Sequence, residues 1–430
     1  MSLKGGATRR FVWFVLPAAA FLLLAIAQPT LAQNYGHKGT VVIPASSTER
    51  PGDIGVRSHT NYRIFVPGEG PAAHQDTAKP QAGGPPFPGY FFETPASLAC
   101  VYGLVAQTPG CNPNVVTTNP SGGSRTIVIV DAFDYPQAAG DLAFFSTQFG
   151  LAPADFTVVY ASGAEPGIDP SGQWEIEESL DIEWAHAMAP NAKIYLVEAA
   201  SNFDTDLYKA VGVANKLLAK TGGEVSLSWG GGEFGGEKNL DAYFKKIPKI
   251  VYFAASGDGP GVIYPSTSPY VVAAGGTSTS RNNMTGWFQG STAWQPAGGG
   301  ISSVEPRPAY QNSVSGIVGA WRGTPDIAFN SDTETPVWVF NSFFGIPLWF
   351  IVGGTSVATP SLAGIVDAAG GTPASSWSLL TTVYSNLGNT SAFTDVASGS
   401  CGVYEGNLSV PGYDNCTGVG VPNGYSGFLP

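Results

Sequence analysis

The chain has 430 residues, of which 43% are apolar and only 12% are charged, and it contains 56 glycines and 34 prolines. A chain of this length and apolar content builds one large domain or two ordinary ones, with many turns. The formal net charge of −12 argues against nucleic acid and anionic membranes as partners, because both carry negative charge.

Residues 1–32 have the pattern of an export signal. Basic residues precede the apolar stretch "FVWFVLPAAAFLLLAIA", and small residues in "TLA" supply a cleavage site. The alternative is a membrane anchor, since the apolar run is nearly long enough to span a bilayer. Pro17 and the alanines favour removal, so we expect a secreted protein that has no membrane attachment once the signal is removed.

Residues 33–94 are rich in proline and glycine and end in "KPQAGGPPFPGYFFETP". Two short runs, "TVVIP" and "YRIFVP", are candidate strands, but turn residues dominate the segment. We predict a linker or a short pro-segment here, in front of a domain that covers residues 95–430.

From Pro95 onward, strand-like runs alternate with helical patterns. In chain order the sequence predicts a strand in "RTIVIVDAFDY", helices in "DLAFFSTQFG" and "WEIEESLDIEWAHAMAP", a strand in "AKIYLVEAA", a helix in "DTDLYKAVGVANKLLAK", and strands in "GEVSLSWGGG" and "KIVYFAASGDG". Such alternation indicates an α/β fold, with a doubly wound, mostly parallel sheet flanked by helices in a single large domain. Active sites of these sheets lie beyond the carboxyl ends of strands, which is where Asp131, Trp229 and Asp258 stand. Ser356 follows a further strand, "LWFIVGG".

Four cysteines follow the predicted signal, in two close pairs. In an exported chain, proximity suggests the disulfides Cys100–Cys111 and Cys401–Cys416. Metal binding is the alternative, but the sequence has no CxxC motif and no histidine beside these cysteines.

Ser356 stands at the start of a predicted small-residue helix, in "IVGGTSVATPSLAGIVDAAGG". Glycines allow close approach of the backbone there, and the N–H groups of the first helical turn point at a ligand. A serine hydroxyl becomes a good nucleophile only when a base takes its proton. Three of the four histidines lie before the predicted domain, and only His186 lies within it.

The segment "WEIEESLDIEWAHAMAP" offers carboxylates as the base. An apolar residue recurs at every fourth position, at Ile176, Leu180, Trp184 and Met188, and this stripe should face the core. Glu177 and Asp181 are also four residues apart and border the stripe. Two carboxyl groups held close repel each other, so that one of them retains a proton.

Other residues of this helix have less direct interpretations. Glu178 is the rival partner of Asp181, whereas Glu175 and Glu183 have the pattern of solvated acids. All five acids could also form one surface face. His186 points elsewhere on the helix and is expected at the surface or at the edge of the core.

Several further segments match one family in its order. They are "EESLDIE", "SLSWGGG", "AASGDG", "YPSTSPYVVAAGGT", "GGGISSVEP", "TPDIAFN" and "VGGTSVATP", followed by "FTDVASG" and "GYDNCTGVGVP". With these motifs the chain resembles the sedolisins, serine-carboxyl peptidases with a subtilisin-like fold. The resemblance covers residues 94–422.

The resemblance implies a role for each matching residue. Ser356 matches the nucleophile, Glu177 the general base, Asp181 the residue that orients the base, and Asp258 the oxyanion aspartate. A carboxyl group donates a hydrogen bond to an oxyanion only when it is protonated, whereas the base must be ionised. The resemblance therefore implies activity in acid, between the pKa values of a coupled set.

Two supporting residues and a metal site are also implied. Asp131 and Trp229 match members of the extended hydrogen-bonded network, although a strand-end acid and a buried aromatic are equally good interpretations. One Ca²⁺ ion would be bound by two carboxylates and three carbonyl oxygens. These ligands are Asp395, Val396, Val410, Gly412 and Asp414. Val410 replaces an expected glycine.

These features together predict a secreted, acid-acting endopeptidase that acts on proteins or peptides as a monomer. Sedolisins usually carry a long inhibitory prodomain, and residues 33–94 are too few for one, so a separate prodomain or inhibitor is a possible partner. Two alternatives stay open. One is a catalytically silent binding protein with this fold, and the other is an exopeptidase that removes tripeptides from free N-termini.

Overall fold

The computed structural model describes residues 30–31, 39–67, 85–86, 90–402 and 407–429. Of the predicted export signal, residues 1–32, the structure describes only the backbone of residues 30–31. The rest of the signal lies outside the described residues. Among the described residues, no helix has the length and apolar character needed to cross a membrane.

The described part contains eight α-helices and twenty-two strands. The helices are α1 Pro95–Val101, α2 Ala138–Phe149, α3 Gln173–Met188, α4 Asp204–Leu218, α5 Ala242–Lys245, α6 Ser315–Val318, α7 Thr355–Ala368 and α8 Ser376–Ser385. The strands are β1 Thr30–Leu31, β2 Gly39–Val42, β3 His59–Thr60, β4 Arg63–Pro67, β5 Thr126–Ala132, β6 Asp155–Tyr160, β7 Lys193–Ala199, β8 Gly223–Leu227, β9 Trp229–Gly232, β10 Ile250–Ala255, β11 Ile263–Tyr264, β12 Val272–Arg281, β13 Phe288–Ala293, β14 Gly300–Pro306, β15 Trp321–Thr324, β16 Ile327–Asn330, β17 Val337–Asn341, β18 Leu348–Gly353, β19 Phe393–Thr394, β20 Ser400–Cys401, β21 Asn407–Leu408 and β22 Val421–Pro422.

The central sheet has eight strands in the order β13-β12-β10-β8-β5-β7-β6, with β16 beside β12. Every pair except β12–β13 is parallel, which confirms the predicted α/β architecture. Strand β5 shows how both faces are covered. Ile127 and Ile129 join the core that contains α3 and α7, whereas Val128 and Val130 join the core that contains α4. Strands buried on both faces read as continuous apolar runs.

Helix α3 is buried on all sides, because β5, α2, α7 and β17 surround it. Every residue from Trp174 to Met188 is buried, so the prediction that Glu175 and Glu183 are solvated is wrong. Glu175 accepts a hydrogen bond from the N–H of Asp169 at 2.7 Å, and Glu183 accepts one from the N–H of Phe340 at 3.0 Å. Main-chain N–H groups thus take the place of water as hydrogen-bond donors to these two acids. The spacing of the acids along the helix is that of a solvent-exposed face, although both are buried.

His186 is buried as well. Its Nε2 lies 2.8 Å from the carbonyl oxygen of Ala152, on the part of α3 remote from the serine. The expectation of a surface or core-edge histidine was therefore wrong, although the residue takes no part in the candidate site.

A second sheet contains residues that the sequence assigned to a linker or pro-segment. Its five strands run β1-β2-β4-β18-β17, and all pairs are antiparallel. Val41 and Phe65 pack into a small core with Trp338 and Ile351. Residues 39–67 are therefore part of the folded body, because β2 pairs with β4 and β4 in turn pairs with β18. That strand, which leads to Ser356, belongs to this sheet and not to the central one.

Both expected disulfides are present. Cys100 and Cys111 join α1 to the loop that follows it. Cys401 and Cys416 close a loop of the C-terminal region, and the structure contains no free cysteine among its described residues. The pairing inferred from sequence proximity is confirmed.

Candidate active site

The serine is positioned by the junction between β18 and α7. Gly354 precedes the helix with φ +126°, and a Cβ there would lie 2.2 Å from the carbonyl oxygen of Asn61, so only glycine fits. Ser356 is fully buried. Its hydroxyl donates to the carbonyl oxygen of Ser228 at 3.2 Å and accepts from the N–H of Asn61 at 3.2 Å.

Close packing of α3 against α7 brings the helical carboxylates toward this serine. A Cβ at Gly364 would lie 2.8 Å from the Cβ of Met188 and 2.9 Å from the carbonyl oxygen of Ala185. The small residues of α7 therefore allow the two helices to touch. This contact turns Glu177 and Asp181 toward the first turn of α7.

Glu177 and Asp181 are both fully buried. Burial raises the pKa of Glu177 well above its usual range, and the charge of Asp131 raises it further, whereas the Ser356 hydroxyl favours the ionised form. Neither oxygen of Glu177 has a hydrogen-bond partner among the described residues. In acid this raised pKa keeps Glu177 protonated in most molecules, so Glu177 accepts a proton from Ser356 only in the fraction of molecules in which it is ionised.

Asp181 is better anchored than Glu177. Its Oδ1 accepts a hydrogen bond from the Ser228 hydroxyl at 2.8 Å. Burial raises its pKa, and the charges of Asp131 and Glu177 raise it further. The three carboxyl groups therefore titrate as one set, in which ionisation of one opposes ionisation of the others.

Asp131 and Trp229, the two predicted supporting residues, differ in their hydrogen bonding. Burial raises the pKa of Asp131 to about 8, and neither of its oxygens has a partner among the described residues. Trp229 donates its indole N–H to the carbonyl oxygen of Val130 at 2.7 Å and packs edge-on against Tyr208. The geometry joins Asp131 electrostatically to the carboxyl set, whereas the Trp229 side chain links two strands.

Asp258 faces the serine from the end of β10. Its Oδ1 accepts from the N–H of Thr355 at 2.8 Å and from the Thr355 hydroxyl at 3.0 Å. Its Oδ2 lies 3.9 Å from Nε of Arg63, and the same guanidinium donates to the Asp258 carbonyl oxygen. Burial raises the pKa of Asp258 to about 6, while Arg63 and the Thr355 hydrogen bonds oppose this rise.

Sequence reasoning missed four residues of the site, which are Asn61, Arg63, Ser228 and Thr355. Ser228 contacts both Ser356 and Asp181, and it stands in the motif "SLSWGGG" that carried part of the resemblance. Arg63 contacts Asp258, and it stands in "YRIFVP", which the sequence marked as a candidate strand within a linker. The sequence did offer one indication of Arg63. It is a basic residue inside an apolar, strand-like run, in a segment that otherwise consists of turn residues.

The residues predicted to bind Ca²⁺ come together in one C-terminal loop. Asp414 accepts five hydrogen bonds, from the Ser409 hydroxyl, from the N–H groups of Val410, Cys416 and Thr417, and from the Thr417 hydroxyl. Asp395 accepts one, from the N–H of Gly412 at 2.8 Å.

This arrangement does not fit a Ca²⁺ ion. Two carboxylate oxygens have about four lone pairs, and those of Asp414 are all used by donors. The carbonyl oxygen of Val396, another predicted ligand, also lies against the Ser409 hydroxyl, whose single proton serves either this oxygen or Asp414.

Sequence comparison relates the chain to known peptidases. It is 30% identical over 321 residues to kumamolisin of Bacillus sp. (strain MN-32), a match that covers 66% of this chain and 56% of the relative. It is 27% identical over 392 residues to tripeptidyl-peptidase 1 of Canis lupus familiaris, covering 77% of this chain and 62% of the relative. No family model matches the chain.

Structural comparison identifies the fold. The solved structure of Pseudomonas sedolisin, a serine-carboxyl proteinase complexed with two molecules of pseudo-iodotyrostatin, matches with a TM-score of 0.63 at 23% identity. The match covers 78% of this chain and 96% of that one, which confirms the predicted subtilisin-like fold. The chain spans 56% to 62% of the length of the two curated relatives described above. By its sequence similarity to known peptidases, the chain belongs to the sedolisin family.

Proposed function

We propose that this protein is a serine-carboxyl peptidase that hydrolyses peptide bonds in acid. The observation that carries the proposal is that the Ser356 hydroxyl acts on the buried carboxyl group of Glu177, while the Asp258 carboxyl group binds Thr355, the residue before Ser356. Each of these groups has a chemical role in acyl transfer, and the family relationship supports a peptidase.

Glu177 acts as the general base in this mechanism, in those molecules in which it is the ionised member of the coupled carboxyl set. Ser356 Oγ attacks the carbonyl carbon of the substrate, and Glu177 takes the hydroxyl proton and later gives it to the leaving amine. Asp181 is a positioning residue, because it shares the electrostatic environment of Glu177 and is itself anchored by Ser228. Water then hydrolyses the acyl-enzyme by the same proton transfers in reverse.

Two donors stabilise the oxyanion of the tetrahedral intermediate. One is the main-chain N–H of Ser356, at the start of α7, and the other is the carboxyl proton of Asp258. The second donor exists only when Asp258 is protonated. With a pKa of about 6, Asp258 is protonated in acid and becomes ionised toward neutral pH.

The proposal favours an endopeptidase, with an exopeptidase as the second candidate. Similarity to a tripeptidyl-peptidase motivates the exopeptidase, which requires a free substrate N-terminus. Peptides with blocked and free N-termini separate the two, since an endopeptidase cleaves both. Export from the cell and action as a monomer belong to the same proposal.

The experiment is cleavage of an unstructured protein from acid to neutral pH by the purified chain, beside Ser356→Ala. We expect a peak of cleavage in acid that the substitution abolishes. Equal cleavage by the Ser356→Ala variant would refute the mechanism. A folded protein that cleaves nothing at any pH would favour the catalytically silent binding protein.

Ca²⁺ has no part in this mechanism. The ion remains a prediction of the sequence, and its binding requires that Asp414 give up hydrogen bonds that it now accepts. A Ca²⁺-dependent rise of the unfolding temperature would support that prediction, independently of activity.

A further inference from the structure

Two buried acids lie side by side on the face of the central sheet that α3 covers. Asp131 of β5, whose charge acts on Glu177, is the direct cross-strand partner of Glu198 of β7. Their side chains point to the same face, because Ile129 and Leu196, each two residues earlier, both join the core that contains α3. Asp131 is fully buried, and Glu198 is 1% exposed. The carboxyl groups near Ser356 therefore have a further carboxyl group behind them.

Glu178 of α3 faces both of these acids. It is fully buried, and neither of its oxygens has a hydrogen-bond partner among the described residues. Burial raises the pKa of Glu178 well above its usual range, and four neighbouring acids raise it further. From the strongest effect to the weakest, these acids are Glu198, Asp131, Glu175 and Asp134. A carboxyl group in such surroundings holds its proton, and its nearest proton acceptors are other carboxyl groups.

Asp134 connects these acids to the surface of the protein. Burial raises the pKa of both Glu198 and Asp134, and a hydrogen bond between the two carboxyl groups raises the pKa of Glu198 further while it opposes the rise for Asp134. Glu198 therefore holds the shared proton. The exposed Glu165 acts on both acids, and the N–H of Asp134 donates to the carbonyl oxygen of Gly167 in the same loop at 3.2 Å. Tyr160, the cross-strand partner of Glu198 in β6, is a further titratable neighbour, because burial and the charges of these three acids raise its pKa.

A strained turn of the backbone produces this contact. Phe133, which follows β5 directly, has φ +78°, a conformation that a bulky residue rarely adopts. Its N–H donates to the carbonyl oxygen of Ala199 at 2.9 Å, and the N–H of Tyr135 donates to Oε1 of Glu198 at 3.3 Å. Strained residues persist where the surrounding structure fixes them, and they cluster at functional sites. The turn places Asp134 against Glu198.

Hydrolysis of a peptide bond leaves a proton inside the buried site. Deacylation makes a new carboxylic acid, whose pKa as a free group is about 3.5. This acid forms beside Glu177, whose pKa is raised well above its usual range by burial, so the proton passes from the product to the Glu177 carboxylate. Glu177 is fully buried, and it must lose this proton before it can accept another one from Ser356.

We propose that four carboxyl groups, which we name the exit path, carry this proton from Glu177 to solvent. In order from the base to the surface, they are Asp131, Glu178, Glu198 and Asp134. These residues act through Glu177, which they return to its ionised form after each turnover, and they have no contact with the reacting atoms. This inference rests on the proposed peptidase function.

Each step along the exit path moves one proton and breaks no other bond. Glu177 gives its proton to Asp131, neither of whose oxygens has a hydrogen-bond partner among the described residues. A carboxyl group that already holds a proton accepts the arriving one on one oxygen and releases its own from the other. The last proton passes from Asp134 to water, beside the exposed loop that contains Glu165. Glu177 is then ionised, and every member of the exit path has the protonation state with which it began.

The first experiment measures kcat and KM on an unstructured peptide in acid, at low buffer concentration. Glu198→Gln keeps the size of the side chain and removes its transferable proton. We expect kcat to fall by roughly tenfold with KM unchanged, a smaller loss than that of a base at the reacting atoms. Added formate should restore kcat, because a small carboxylate takes the proton from Glu177 directly. Glu183→Gln is the matched control, since Glu183 is an equally buried acid of α3 outside the exit path, and it should keep the wild-type kcat.

The wild-type chain and Ser356→Ala, measured beside these variants, separate the two proposals. Wild-type cleavage that Ser356→Ala abolishes, together with an unchanged kcat in Glu198→Gln, overturns the exit path and leaves the peptidase function standing. A loss of kcat that formate does not restore has the same meaning, because it shows a structural role for Glu198. A folded wild-type chain that cleaves nothing overturns both proposals.

The second experiment interrupts the exit path at its outer end. Asp134→Asn removes the last carboxyl group, near the surface, and should give the same fall of kcat and the same recovery with formate. The double variant of Asp134→Asn and Glu198→Gln should lose no more than either single variant, because two breaks in one path act as one. A double variant whose loss is the product of the two single losses overturns the exit path. Unfolding temperatures verify that each variant is folded.

Discussion

The carboxyl groups around Ser356 and those of the C-terminal loop are the same chemical groups in opposite surroundings. Glu177 and Asp131 are buried without a hydrogen-bond partner among the described residues. Asp414 is also buried, but it accepts five hydrogen bonds. Burial raises the pKa in each place, and in the loop the hydrogen bonds oppose that rise.

This difference separates a reactive carboxyl group from a structural one. A buried carboxyl group without donors gains or loses a proton readily when its neighbours change, which suits proton transfer. A carboxylate whose two oxygens both accept from N–H and O–H donors organises a loop, and those hydrogen bonds favour its ionised form. Four predictions test the distinction, in decreasing order of the expected effect.

Glu177→Gln removes the base and keeps its size. We expect kcat/KM on an unstructured peptide to fall by about 10²–10⁴-fold, the usual contribution of a general base. Glu178→Gln is the matched control, because Glu178 is an equally buried neighbour whose strongest electrostatic partner is Glu198. Equal losses in the two variants would show that burial, and not position beside Ser356, explains the effect.

Asp258→Asn replaces a pH-dependent donor by a permanent one. The amide donates at every pH, so the decline of activity that accompanies ionisation near pH 6 should disappear from the pH profile. The rate at the optimum should fall by less than the ~10²–10³-fold that follows removal of an oxyanion donor. Asp258→Ala provides that comparison, and an unchanged decline in Asp258→Asn would exclude the oxyanion role.

Asp414→Asn tests the structural carboxylate. Loss of charge-assisted hydrogen bonds should lower the free energy of unfolding by about 2 kcal/mol. Asp395→Asn, at an exposed residue with one such bond, should change it by less than about 0.5 kcal/mol. Because the donors saturate Asp414, excess Ca²⁺ should leave the unfolding temperature unchanged. A rise in wild type that Asp414→Asn abolishes would restore the calcium site predicted from sequence.

The buried acids also predict how stability depends on pH. Burial raises the pKa of Glu175 to about 8 and that of Glu198 to about 9, whereas in the unfolded chain such groups ionise near pH 4. The folded state thus binds more protons between these values, so their stabilising contribution is complete below pH 4 and is lost as pH rises through 8–9.

Calorimetry between pH 4 and pH 8 measures this effect. The unfolding temperature should fall by a few degrees over that range, and Glu198→Gln should make the fall smaller. An unfolding temperature that rises with pH would mean that hydrogen-bond donors lower the pKa values of these acids by more than burial raises them.

The α/β architecture and several site residues could be predicted, because the sequence patterns that indicate them lie within short segments. The alternation of strands and helices, the helical spacing of Glu177 and Asp181, and the glycines before Ser356 are properties of short segments. Both disulfides followed from proximity in the chain. Patterns of this kind depend on backbone geometry, which the sequence encodes within a few residues.

The surroundings of individual side chains could not be predicted in the same way. Glu175 and Glu183 have the spacing of surface acids, yet they are buried because other elements cover every side of α3. Residues 39–67 read as linker because their strands have no partner nearby in sequence. The pairing of Ile64 with Val352 spans most of the folded chain.

The sequence by itself determined the α/β class, the family and the residue types that meet at the serine. Tertiary structure alone decided which carboxyl groups have donors, that Arg63 faces Asp258, and that the Asn61 carbonyl oxygen accepts from the N–H of Ser356. The physical reason is that burial and hydrogen bonding arise between segments distant in the chain, and these interactions set the pKa values on which the chemistry depends.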